Sequence, residues 1–394
     1  MEKIKQVKSE EIIGPLHSSA IVKRHPNNPI FTSKDVPYPS VIAYNAGVVK
    51  YQGQYVMVFR NDYNWNDEEQ KAIGFQIGVA YSNDGIRNWR VHSKPILEFQ
   101  GGVGDDVIGS YDPRVTILEG RIYITYAMYT KHGYRGTIAV TDDFENIEIL
   151  SSAVPDNRNI VLFPERIGDL YIRMERPFPI DSRSKRLYDI WISESPDLVY
   201  WGRSQPLLCV EDVPYANERL GAGTPPVRTE HGWLSIFHAV DIDPNRGKNG
   251  WEDRWPKRYS AGVMLQDLEN PRKVIAYSKE PLITPEPEFP YETKDGFRTN
   301  VIFPGGLIVE DSGEVKIYYG AADTVQCLAT TQLDDLIDFC LSFKYVGRTH
   351  LKALRSALRA AFARLIYLAR ESSRSHPRGD RSQRQVHPFP RPSR

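Results

Sequence analysis

Val49-Lys50-Tyr51-Gln52-Gly53-Gln54-Tyr55 places a tight Gly-centred turn between two apolar, aromatic-rich runs, and the same phrase recurs four more times along the chain. It returns at Leu118-Glu119-Gly120-Arg121-Ile122-Tyr123, at Arg166-Ile167-Gly168-Asp169-Leu170-Tyr171, at Glu230-His231-Gly232-Trp233 and at Asp311-Ser312-Gly313-Glu314-Val315-Lys316-Ile317-Tyr318. A Gly turn flanked by β-branched and aromatic residues predicts a hairpin. Each copy is followed by a further strand that ends in an Asp-bearing turn: Tyr81-Ser82-Asn83-Asp84, Val140-Thr141-Asp142-Asp143, Ile192-Ser193-Glu194-Ser195-Pro196-Asp197, Leu265-Gln266-Asp267 and Thr331-Gln332-Leu333-Asp334. Five hairpins, each with a third strand, predict an all-β chain of five four-stranded blades, a five-bladed β-propeller over residues 1–335. A β-sandwich or barrel is the competing reading, but such folds rarely repeat one two-part unit five times.

The surrounding composition agrees. The 394 residues include 22 Tyr and 7 Trp, and the apolar runs are short, as in Ile122-Tyr123-Ile124-Thr125-Tyr126 and Leu234-Ser235-Ile236-Phe237. Strand composition of this kind excludes disordered and collagen-like classes. No apolar run is long enough to span a bilayer, and Met1-Glu2-Lys3-Ile4-Lys5 lacks the apolar core of a secretory signal, so a soluble, cytoplasmic protein without membrane contact is expected. Three scattered cysteines (Cys209, Cys327, Cys340) supply neither a disulfide framework nor a thiol metal site. Fifty basic and fifty acidic residues give zero net charge, but thirteen Lys/Arg against two acids lie in residues 341–394, leaving 37 basic and 48 acidic residues before them. An acidic body is thus joined to a basic tail. Leu351, Leu354, Leu358, Phe362, Leu365 and Leu368 predict an amphipathic helix within a helical segment 336–371, and 372–394, rich in Pro, Ser and Arg, is expected to be a disordered basic tail. An oligomer contact, a divergent extension and a frameshifted terminus all suit that tail.

The chain lacks His-Glu-x-x-His, Gly-x-Ser-x-Gly and Walker-type motifs, which leaves carboxylates, arginines and aromatics as candidate chemistry. Asp112, in Ser110-Tyr111-Asp112-Pro113-Arg114, follows the Gly-rich stretch Gly101-Gly102-Val103-Gly104 and precedes an aromatic strand; Pro113 biases it toward an extended backbone. An Asx turn opening the strand is the alternative. Asn45, Arg60, Asp62, His238 and Asp323 stand at comparable strand edges and predict a ring of polar groups, one or two per blade. Arg158, Arg176 and Arg219 form a second set suited to an oxyanion, with solvated surface arginine as the alternative.

Taken in order, Asn45-Ala46-Gly47, Phe59-Arg60-Asn61-Asp62, Tyr111-Asp112-Pro113-Arg114, Leu162-Phe163-Pro164-Glu165, Met174-Glu175-Arg176-Pro177, Gly221-Ala222-Gly223-Thr224-Pro225-Pro226, Gly232-Trp233-Leu234 and Tyr319-Gly320-Ala321-Ala322-Asp323-Thr324 resemble glycoside hydrolase family 130 across about residues 20–335. The resemblance implies inverting phosphorolysis of β-mannosides to α-mannose 1-phosphate on a five-bladed propeller. It implies Asp112 as general acid, acting through the 3-hydroxyl of mannose, and Asn45, Arg60, Asp62, Tyr111, His238 and Asp323 around the mannose. Arg158, Arg176, Arg219 and Tyr259 would hold phosphate, with His238 near both groups and Arg219 where the family often has lysine. The implied reactants are a small β-mannosyl saccharide and inorganic phosphate as co-substrate, with no metal, organic cofactor or nucleic acid; a homo-oligomer is compatible. Glucose, mannose and N-acetylglucosamine, and β-1,4 and β-1,2 linkages, all stay open for the leaving side. Trp65, Trp251 and Trp255 are candidates for stacking on a pyranose, with loop packing as the alternative. A β-mannosidase using water, a non-catalytic sugar-binding propeller and a furanosidase propeller are the other readings.

Overall fold

The computed structural model describes residues 12–68, 71–97, 107–179, 187–246 and 255–343. The chain separates into two units, Met1–Tyr345 and Val346–Arg394. The helix expected over 351–368 and the basic tail belong to the second and lie outside the described residues, as do Gly101–Gly104 and Trp251.

The first unit is a five-bladed propeller. Blade 1 comprises Ile42–Tyr51, Gln54–Asn66, Lys71–Ser82 and Arg90–Val91; blade 2, Val107–Leu118, Arg121–Thr130, Gly133–Thr141 and Glu148–Ser152; blade 3, Asn157–Leu162, Tyr171–Pro177, Ile190–Ser195 and Gly202–Leu208. In blade 4 the first position is split between Arg219–Ala222 and Val227–Thr229, both paired with Gly232–Ile242, which is followed by Lys257–Gln266 and Val274–Tyr277. Blade 5 holds Ile302–Val309, Glu314–Ala321 and Val325–Gln332. Its fourth strand comes from the other end of the chain: Lys23–Arg24 pairs antiparallel with Val325–Gln332, Lys23 opposite Thr330 and Arg24 opposite Ala329. This tie closes the ring, because first and last segments must separate together. Arg24 reinforces it, forking onto Glu292 at 3.1 and 3.0 Å and meeting Glu286 at 3.0 Å.

Both repeated sequence elements have a structural cause. All five Gly turns join the first strand of a blade to its second. In blades 1 and 2 both central residues are left-handed, Gln52 (φ 49°) with Gly53 (φ 76°) and Glu119 (φ 52°) with Gly120 (φ 79°), the conformation whose twist matches paired strands. The Asp turns join third to fourth strands. Asp84, Asp143, Asp197 and Asp267 each accept the backbone N–H groups two and three residues on, at 2.8–3.1 Å. In blade 5 the same register instead opens the helix Leu333–Leu341, with Asp334 and Asp335 in its first turn.

The core is distributed between blades. Five apolar clusters fill the five interfaces, for example Val161, Met174 and Ile192 of blade 3 against Leu220, Trp233 and Phe237 of blade 4. The helix Leu333–Leu341 adds Leu336, Ile337 and Cys340 to the cluster between blades 4 and 5. Sheets 2 and 3 are additionally joined by one parallel bridge, Asn157 to Arg135.

Candidate active site

Since the Gly turns close the far ends of the hairpins, the starts of first strands and the ends of second strands gather on the opposite face. There the first strands break register, between Tyr44 and Gly47, Tyr111 and Arg114, Arg158 and Val161, and Pro304 and Gly306. The first of the two residues inside each of the first three breaks is left-handed: Asn45 (φ 51°), Asp112 (φ 53°) and Asn159 (φ 56°). Asn and Asp are the non-glycine residues that best tolerate this conformation. Such a bulge re-aims a side chain out of the ladder. It explains how Asp112, in a strand, meets a group from another blade: Asn45 Nδ2 donates to Asp112 Oδ1 at 2.9 Å. The extended backbone expected from Pro113 is therefore wrong for Asp112; the bulge overrides the local bias.

Around Asp112 the charges are compensated. Arg60 lies 3.4 Å from Asp112 and forks onto Asp62 at 2.6 and 2.7 Å. Its guanidinium is enclosed by the rings of Tyr44 (4.7 Å), Phe75 (5.3 Å) and Tyr111 (5.0 Å). Tyr44 donates its hydroxyl to Asp62 at 3.2 Å. Burial raises the Asp62 carboxyl above the usual carboxylate range, opposed by Arg60. Asp323 is raised by burial as well, and pairs with Arg298 at 3.3 Å. A cavity of about 430 Å³ opens over this group, lined by Arg60, Phe75, Tyr111, Tyr134, Arg158 and Arg298.

The arginine set assembles on the other side of Tyr111, whose hydroxyl accepts from Arg158 at 2.7 Å and is pushed up to about 12 by burial. Arg158 and Arg176 are direct cross-strand partners, a placement that is unfavourable for like charges. Phe178 lies 5.0 Å from both guanidinium groups and 5.9 Å from that of Arg219. Arg219 is forked onto Glu218, which also meets Lys257 at 3.3 Å. Burial, with Arg158 and Arg219 nearby, drives Arg176 well below the usual guanidinium range. Arg176 donates to His238 Nε2 at 2.8 Å. His238 is fully buried, and burial together with Arg176, Arg114, Arg219 and Arg158 holds it neutral, far below the usual imidazole value. Accepting at Nε2 puts its proton on Nδ1, which has no partner. Tyr259 lies 5.9 Å from the His238 ring.

The structure thus brings the eleven expected residues to one face in two groups, with His238 against the arginines rather than against Asp112. Trp65 is 37% exposed, edge-on to Phe297. Trp255 takes the packing alternative: it is buried, parallel to Tyr259 at 6.2 Å and covered by Arg298 at 4.7 Å, so it packs the site's wall. Three residues were missed. Arg298 follows Phe297 with no distinguishing pattern. Asn159 repeats the left-handed position of Asn45 and Asp112, a signal present in the strand alignment. Arg114 stands under both groups, donating to the carbonyls of Pro113 (2.8 Å), Pro304 (2.9 Å) and Gly223, from blades 2, 5 and 4. Burial lowers it to about 10, despite Asp112 nearby.

A family model described as beta-1,4-mannooligosaccharide phosphorylase matches residues 19–342. A beta-1,4-mannooligosaccharide phosphorylase of Ruminococcus albus is 32% identical over 84% of this chain and 94% of its own length. A 1,2-beta-oligomannan phosphorylase of a Thermoanaerobacter species is also 32% identical, covering 80% and 98%. The structure of a beta-1,2-mannobiose phosphorylase from Listeria innocua in complex with beta-1,2-mannobiose superposes with a TM-score of 0.69 at 26% identity, over 81% of this chain and 99% of that one.

Proposed function

The chain belongs to glycoside hydrolase family 130, and on that premise we propose that it is a β-mannoside phosphorylase in which Asp112 serves as general acid and the Arg158, Arg176 and Arg219 cluster receives inorganic phosphate. The observation that carries this reading is the cluster itself: two buried arginines, Arg176 and Arg219, and the half-buried Arg158 at the cavity, accompanied by one forked carboxylate, Glu218. Buried like charges persist where an anion completes them.

The reaction needs little else from the protein. Phosphate is already an anion and attacks the anomeric carbon of a β-mannosyl disaccharide or short oligosaccharide without a base. The arginines hold it in line and offset its charge as the glycosidic bond breaks. Asp112, fixed by Asn45, supplies the proton that the departing sugar oxygen takes up, relayed by the 3-hydroxyl of mannose. Inversion gives α-mannose 1-phosphate and a shortened sugar. Asn45, Arg60, Asp62, Tyr111 and Asp323 would surround the mannose, His238 and Tyr259 would support the phosphate side, and no organic cofactor is required.

Hydrolysis would need a second carboxylate to activate water, about 6.5–9.5 Å from the acid. The two other carboxylates of this group do not suit that task, Asp62 being held in the Arg60 fork and Asp323 by Arg298. Product analysis with and without phosphate tests the reading: mannose 1-phosphate is expected only with phosphate. Phosphate-independent release of free mannose would overturn it in favour of a mannosidase.

A further inference from the structure

Blade 3 presents two unlike faces. Strand alternation puts Met174 and Arg176 on one side and Arg173 and Glu175 on the other. The first side joins the apolar cluster shared with blade 4. The second faces blade 2, and the apolar packing there (Leu118, Val140, Ile160, Leu162, Leu198) covers only part of it. The remainder is a cleft of about 530 Å³, within the range of small-ligand pockets.

Its floor is polar and ordered. Arg173 and Glu175, 5% and 3% exposed, pair at 2.7 Å. Glu175 also accepts from Asn157 Nδ2 and Ser204 Oγ, each at 2.9 Å, and Arg173 Nε donates to Ser193 Oγ at 3.1 Å. A buried ion pair is a poor substitute for apolar packing as a source of stability. One floor group is unsatisfied: Asn157 is 7% exposed, lines the cleft, and its Oδ1 has no hydrogen-bond partner. Aromatic walls flank this floor, with Trp201 4.2 Å over Arg173 and Trp191 and Phe178 also lining the cleft. Val154 and Val199 stand at the lining 72% and 43% exposed.

We propose that this cleft is a second saccharide-binding site that takes a pyranose unit of a neutral oligosaccharide. Indole walls suit the C–H face of a sugar ring, and Arg173 and Glu175 cancel in charge, which favours a neutral ligand over an anion. None of the three clustered arginines lines the cleft; Phe178 touches both places, stacking on Arg158 and Arg176 at 5.0 Å. Occupancy of the cleft would hold a long substrate near the catalytic face between turnovers. That the sugar is mannosyl rests on the phosphorylase reading.

The full chain labelled with 5-fluorotryptophan, titrated with β-1,4-mannotriose, β-1,2-mannotriose or cellotriose in phosphate-free buffer, tests this by ¹⁹F NMR. Trp191→Phe and Trp201→Phe assign the two cleft resonances. A mannotriose is expected to shift both, and Ser204→Tyr, which fills the cleft from an exposed position, is expected to abolish those shifts while the Trp65 resonance still responds. Movement of Trp65 alone in the unmodified chain overturns the cleft and leaves the phosphorylase reading standing. Retention of the cleft shifts in Ser204→Tyr also overturns it. Shifts with cellotriose and with neither mannotriose support a saccharide cleft and overturn the mannosyl assignment.

Discussion

The two halves of the catalytic face handle charge in opposite ways. Around Asp112 the ionised groups are matched: Arg60 with Asp62, Arg298 with Asp323, and Asn45 donating to Asp112 itself. Across Tyr111, three arginines and a neutral histidine share one glutamate, and Arg158 stands directly opposite Arg176. The first half is balanced in charge and suits a neutral sugar, whose hydroxyls enter a network already in place. The second is completed only by an anion. On the proposed reading, the enzyme is preorganised for the sugar and electrostatically loaded for phosphate.

The comparison breaks most visibly at Asp112. Asp112→Asn is expected to lower kcat by about 10²–10⁴-fold, the range for loss of a positioned general acid, while phosphate binding measured by calorimetry stays near normal. Near-normal turnover of a β-mannosyl disaccharide would remove Asp112 from its role. Arg176→Met strikes the other half and should reduce kcat/KM for phosphate by about 10²–10³-fold. It also separates function from stability. In phosphate-free buffer the variant should unfold no earlier than the wild type, because a buried like charge has gone. Phosphate at 100 times its Kd should stabilise the wild type by about 2.7 kcal/mol and the variant far less. Equal stabilisation of both in thermal unfolding would show that phosphate binds elsewhere.

Arg114 spans the seam between the halves, and its replacement is smaller in catalytic reach but costly to the fold. Arg114→Met leaves the carbonyls of Pro113, Gly223 and Pro304 without their donor in a dry interior. Each unsatisfied group costs about 1–3 kcal/mol, so a loss of about 3 kcal/mol or more is expected in denaturant titration. Arg114→Lys should recover part of the stability but not the three-blade span, because an ammonium lacks the guanidinium fork. If Arg114→Met is within 0.5 kcal/mol of wild type, water has replaced the fork, and the axis is not the dry seam that the carbonyl contacts indicate.

What was legible in the sequence was local. A Gly turn or an Asp accepting two backbone N–H groups lies within a few residues, so five repeats could be counted from the chain alone. The ring of polar residues was legible because it follows the same strand ends. Lys23–Arg24 was not: two residues carry no periodicity, and their partners, Thr330 and Ala329, lie some three hundred positions away. Arg114 was quoted only as part of a motif, since nothing nearby in sequence reveals that its acceptors belong to three blades. The backbone of Asp112 was misjudged for a related reason. Pro113 argued for extension, whereas close packing of first strands at the axis enforces a bulge, and only the parallel with Asn45 and Asn159 exposes it. Trp255 was left open between a sugar and loop packing because an aromatic in a polar loop looks the same whether it faces a sugar or Tyr259.

The smallest expected effect sharpens the comparison in the absence of substrate. His238 is neutral when folded, its pKa depressed by burial first and then by Arg176, Arg114, Arg219 and Arg158. As pH falls through about 6.5 the unfolded chain takes up a proton that the folded chain refuses. Stability from this group is therefore full above that pH and declines below it, by up to about 1.4 kcal/mol per pH unit. His238→Gln removes the titration, so urea midpoints of wild type and variant should converge as pH is lowered from 7.5 to 5. Bound phosphate offsets the arginine contributions and should flatten the wild-type slope without altering that of the variant. Parallel curves at every pH, with or without phosphate, would mean that His238 does not sense the arginines, and the uncompensated half of the site would lose its internal reporter.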